Sequence, residues 1–150
     1  MGKSLESPTG SVWPSFLTAH AVLVEAIERR LAAAGQPPLG WYDVLWTLER
    51  APDHRLRMSE LADKVVLSRS NLTRLADRLE EAGLLRRERS DEDRRGAFAV
   101  LTAQGQAARR AMWPVYQAAI KELFESSLSE AEATVIGGAL RRVLESARGR

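Results

Sequence analysis

The chain has 150 residues, 45% apolar and 28% charged, with a formal net charge of +2. That length suits one domain able to enclose a core, and the apolar share argues against disorder. Cysteine is absent, which excludes disulfides, thiolate zinc sites and thiol switches and fits a reducing cytoplasm.

The order of the residues excludes more. No run of about 18 apolar residues occurs, so neither a membrane span nor a membrane partner is expected. The leading MGKSLESPTGS carries one lysine and no apolar stretch, unlike a signal peptide. His20 and His54 stand in no metal-ligand spacing, and no phosphate-binding glycine loop, nucleophile elbow or dinucleotide fingerprint is present. No enzyme, metal site or cofactor is therefore expected. The net charge is too small to announce a nucleic-acid partner by itself, so that case must rest on where the arginines fall.

A helix is expected from Val12 to Ala34. Leu17, His20, Val24, Ile27 and Leu31 recur along it at spacings of three and four, forming a seam. Gly35 and Pro37-Pro38 end it. Leu39–Arg50 reads as a second helix and Arg57–Val66 as a short third, with Leu61, Ala62 and Val65 on its apolar side. Val66-Leu67 connects to a fourth helix, Ser68–Gly83, with Ser68 as N-cap, Leu72, Leu75, Leu79 and Ala82 as apolar stripe, and Gly83 as stop. Leu84–Arg89 and Ala97–Leu101 are β-prone and read as a hairpin around a charged tip, SDEDRRG. Thr102 caps a fifth helix to about Ser126, with a kink expected at Pro114. Ser129 and Glu132 make a capping box for a last helix to about Ala147, where Ile136, Leu140, Val143 and Ala147 form a second seam.

Short helix, turn, capped helix and hairpin, in that order, describe a winged helix-turn-helix. The expected fold is mainly α, with a two-stranded β wing. In such a module the second helix enters the DNA major groove by its N-terminal end. Here that end offers Ser68, Arg69, Ser70, Asn71, Thr73 and Arg74. Arginine and asparagine can pair bidentately with guanine and adenine, while hydroxyls reach bases or phosphates. A wing beside such a helix meets the minor groove, where arginine is favoured by the concentrated negative potential. Arg94 and Arg95 are the candidate wing contacts. Asp93 is the candidate that orients them through a charge-assisted bond, and Gly96 lets the chain reverse.

Asp93-Arg94-Arg95 followed by Leu101-Thr102 and Gly105 resembles the D-x-R-x(5)-L-T-x-x-G wing signature of the MarR (multiple antibiotic resistance regulator) transcription factors. SELADKVVLSRSNLTRLADRLEEAGLLRRERSDEDRRG resembles their helix-turn-helix and wing without a gap. The resemblance spans about residues 12–147. It implies a single 150-residue domain with a winged module over residues 39–101 and dimerisation helices over 12–34 and 103–147. It also implies a cytoplasmic homodimer placing two modules on a pseudo-palindromic site in double-stranded DNA.

Two alternatives stay open at this level. The terminal seams could meet a partner chain or pack on each other within one chain. Trp13, Phe16, His20 and Trp41 could line a site for a small aromatic or phenolic ligand, as members of the family often do, or could simply fill the core. The functional expectation is a dimeric DNA-binding regulator, a repressor released by such a ligand. Its rival is a winged-helix protein-interaction module that does not touch DNA.

Overall fold

The computed structural model describes residues 12–89 and 96–149. Six helices, α1 (Val12–Ala33), α2 (Leu39–Glu49), α3 (Met58–Lys64), α4 (Leu72–Glu81), α5 (Ala103–Leu123) and α6 (Glu130–Arg148), accompany three strands, β1 (Arg55–Arg57), β2 (Leu85–Arg89) and β3 (Ala97–Leu101). The chain divides into two compact units, residues 27–116 and residues 1–26 with 117–150.

The first unit is winged. Its core joins Val44, Leu45 and Leu48 of α2, Leu61 of α3, Leu72, Leu75 and Leu79 of α4, and Leu56, Leu85, Ala99 and Leu101 of the strands. The helix stops work as the sequence suggests. Gly35 and Gly83 take positive φ values of 72° and 77°, and the residue after each returns its N–H to a carbonyl of the last turn, Gln36 to Leu31 and Leu84 to Leu79. The entry to α2 is held from a distance: the Leu39 N–H donates to the Glu28 carboxylate at 2.8 Å, supplying the cap that Pro38 cannot.

The sheet differs from expectation. β1 pairs antiparallel with β3, making the wing the outer part of a three-stranded sheet ordered β1-β3-β2. Arg57 is thus the end of a strand rather than the start of a helix. A three-residue strand is too short to show a period, and its entry through Asp53 and His54, both at positive φ, has no glycine to announce it.

The L-T-x-x-G stretch has a physical meaning at the base of this hairpin. Leu101 is buried. Thr102 accepts from the Gly105 N–H at 3.0 Å and donates to the Gly83 carbonyl at 2.6 Å, tying the start of α5 to the end of α4. A Cβ at position 105 would collide with the backbone carbonyl of Leu84. Only glycine lets the two segments approach this closely.

Among its described residues the second unit contains helices joined by short turns and no strand. The Ser129–Glu132 capping box forms reciprocally, at 3.1 and 3.0 Å. α5 is assigned as one helix through Pro114, and a short 3-10 turn, Glu125–Ser127, follows it. Apolar side chains stay in water here: Val12, Trp13, Phe16, Leu17 and Val22 on α1, and Val135, Leu140, Val143 and Leu144 on α6. Packing within one chain buries Ile27 and Leu31 of the first seam but leaves Leu17 and His20 there, and Leu140, Val143 and Ala147 of the second, exposed. Within the chain, a Cβ on Gly137 or Gly138 of α6 would meet only guanidinium atoms of the same helix. Among the described residues, no helix is long and apolar enough to cross a membrane.

Candidate nucleic-acid interface

The reading end of the helix-turn-helix opens as a 3-10 turn, Arg69–Asn71, before α4 begins at Leu72. Leu72, Leu75, Ala76 and Leu79 are buried, while Arg69, Ser70, Asn71, Thr73 and Arg74 are exposed. With Met58, Ser59 and Ala62 of α3, these exposed residues and Leu72 line an open groove of about 710 Å³. The 3-10 turn and the apolar periodicity of α4 together turn five hydrogen-bonding side chains to one accessible surface. The 3.8 Å pair between Arg69 and Asp63, both largely exposed, is too solvated to immobilise the guanidinium.

Ser68 departs from its expected role. It is 2% exposed and makes no capping bond. Its hydroxyl instead points to the Gly40 carbonyl and the Asp43 carboxylate, each at 3.1 Å. It is spent inside the module and cannot reach DNA. Asp93, Arg94 and Arg95 lie outside the described residues.

The base of the wing is locked to α4. The Arg87 N–H donates to Glu80 at 2.7 Å, and its guanidinium bonds both Glu80 and Asp77. These bonds, the backbone one foremost, hold the Glu80 carboxyl below its ordinary value, and Glu80 in turn raises the Arg87 guanidinium. On the sheet, the guanidiniums of Arg55 and Arg57 stand over the Phe98 ring at 4.4 and 4.9 Å.

The aromatic candidates separate. Trp13 and Phe16 sit on α1 with ring centroids 6.2 Å apart. They are 64% and 46% exposed, so the core-filling alternative fails for them in a single chain. His20 is exposed as well, whereas Trp41 packs against the winged core.

Sequence reasoning missed a different aromatic group, Tyr42 stacked between Trp46 and Trp113 with Tyr116 edge-on. Beside it Arg109 pairs with Glu49 at 2.9 Å, both nearly buried, and lies over Trp46. Burial raises the Tyr42 phenol above its ordinary value against the opposing Arg109 hydrogen bond, and burial raises Tyr116 too. The i, i+4 pair Tyr42/Trp46 and the i, i+3 pair Trp113/Tyr116 were the available signal.

A buried three-helix core, an exposed polar row on the second helix of a helix-turn-helix and a hairpin clamped beside it define a winged helix-turn-helix protein. Comparison with known proteins narrows the class. A sequence model of the MarR family matches residues 35–96. The structure of AbsC, a MarR family transcriptional regulator from Streptomyces coelicolor, is 32% identical and superposes with a TM-score of 0.84 over 99% of this chain and 100% of that one. Sco3205, a MarR family regulator from the same organism solved in complex with DNA, is also 32% identical, with a TM-score of 0.84 over 97% of this chain and 91% of that one. The transcriptional repressor MprA of Escherichia coli K12 is 36% identical over 100 residues, 67% of this chain but only 56% of that protein.

The chain belongs to the MarR family, whose members are transcription regulators rather than enzymes.

Proposed function

We propose that the protein is a cytoplasmic homodimeric repressor that reads a pseudo-palindromic operator in double-stranded DNA and is released by a small aromatic or phenolic ligand. The observation that carries the DNA reading is the exposed row Arg69, Ser70, Asn71, Thr73 and Arg74, which spans the 3-10 turn and the first residues of α4 and is backed by the buried Leu72, Leu75, Ala76 and Leu79. These five make the base and phosphate contacts in the major groove. Arg94 and Arg95, oriented by Asp93, enter the neighbouring minor groove. Sco3205, seen with DNA at 32% identity, supports this assignment.

The apolar surfaces of α1 and α6 support the dimer. Single-chain burial leaves them in water, and a two-fold partner would cover both and set two reading ends about one DNA turn apart. Trp13, Phe16, His20 and Trp41 are the ligand candidates. Release requires a ligand that binds the DNA-incompetent spacing of the reading ends more tightly than the competent one.

Fluorescence anisotropy on DNA from upstream of the protein's own gene, against random competitor and across a salt series, tests the reading. Competitor-resistant binding that strengthens as salt falls is expected. Absence of DNA binding even at low salt would favour the protein-interaction module.

A further inference from the structure

The turn between α3 and α4 carries the reading end, yet apolar burial does little to hold it. Val66 is 80% exposed and Leu67 36% exposed. Its anchor is a single carboxylate. Asp43, in the middle of α2, accepts the Val66 N–H on both oxygens at 3.1 and 3.0 Å, the Leu67 N–H at 2.7 Å, and the Ser68 hydroxyl at 3.1 Å. The hydroxyl has one proton, shared between Asp43 and the Gly40 carbonyl. A Cβ on Gly40 would come within 3.3 Å of that hydroxyl oxygen, so the small residue keeps the seat open.

We infer that Asp43 is a positioning residue for DNA reading. This rests on the function proposed above. The carboxylate fixes three consecutive residues immediately before Arg69, and so fixes the angle at which Arg69, Ser70, Asn71, Thr73 and Arg74 leave the module. Donors satisfied by an anion are stronger than neutral pairs, and base readout depends on bidentate geometry more than phosphate contact does. Loss of the anchor therefore costs discrimination before it costs adhesion.

Asp43→Asn tests this with little change of shape. Its amide keeps one acceptor oxygen and turns donors toward donors. Affinity for the operator should fall roughly tenfold, with a much smaller loss on random DNA. Hydrogen exchange at the Val66 and Leu67 amides should accelerate, while sedimentation and melting of the rest of the chain stay near wild type. Ser68→Ala, which removes one donor and leaves the charge, should show a weaker form of the same pattern and serves if Asp43→Asn unfolds. Equal loss on operator and random DNA, or unchanged exchange at Val66 and Leu67, would overturn the inference. A wild-type protein that prefers no DNA sequence would sink the DNA reading and this role with it; faster exchange in the variant would then mark Asp43 as a fold contact alone.

Discussion

The two units of the molecule handle their apolar residues in opposite ways. In residues 27–116 leucines from three helices and three strands close over one another, and the polar row of the reading end stays outside. In the other unit Ala119 is the only buried residue among those described, and valines, leucines and aromatic rings face water. The winged unit meets its burial requirement from its own sequence. The helical unit has weaker apolar seams than α4, and among the described residues they stay largely uncovered. Periodicity announces that a face is apolar; it does not say whose atoms will cover it.

The contrast should be sharpest in stability. Leu79 is fully buried in the winged core, so Leu79→Ala should cost about 2–5 kcal/mol in urea unfolding. A smaller loss would mean that the core collapses around the gap. Val143, 62% exposed on α6, should behave differently. Val143→Glu should leave helix content intact while raising the dimer dissociation constant on the order of a hundredfold by sedimentation, if this face meets a second copy. A variant that stays dimeric would assign the interface elsewhere.

A single contact of the reading end should matter less. Arg74→Ala should lose roughly 1–3 kcal/mol on the operator if its guanidinium reads a base. An equal loss on random DNA would make Arg74 a phosphate contact.

The smallest effect concerns acid. The Glu80 carboxyl is held below its ordinary value by Arg87, so its contribution is complete above the unfolded-state value and is lost as pH falls through the lower folded one. Glu80 is partly exposed, and after solvent screening the effect should be about 0.5 kcal/mol. Unfolding midpoints followed from neutral pH downward should decline less steeply for Glu80→Gln than for wild type; parallel curves would show that Arg87 gives no net stabilisation there.

What was legible in the sequence was local. The stops at Gly35 and Gly83 and the box at Ser129 and Glu132 each join residues within a turn or two, and each is present. The α4 stripe holds at Leu72, Leu75 and Leu79, but Ala82 is exposed and Ala76 is buried instead. The hairpin strands lie within one residue of expectation. The features that escaped need partners far along the chain. β1 exists because β3, over forty positions later, accepts it. Ser68 was read as a cap and a DNA contact from its neighbours, whereas its hydroxyl answers to Gly40 and Asp43 on α2. The aromatic group around Tyr42 draws on α2 and α5 together, so no single stretch revealed it. In the reading end itself, Arg69, Ser70, Asn71, Thr73 and Arg74 lie on the accessible side while Leu72 between them turns inward.

The pairing of β1 with β3 has an evolutionary consequence. The ladder joins the chain just before α3 to the chain just before α5, so residues 58–96 leave from and return to one place. They form a closed excursion sealed at its neck. A longer or shorter wing tip, or an exchanged reading row, alters the excursion without shifting the phase of α2 or α5 on either side. Address and chassis can thus diverge at separate rates, and a duplicated copy could acquire a new operator while keeping its old framework.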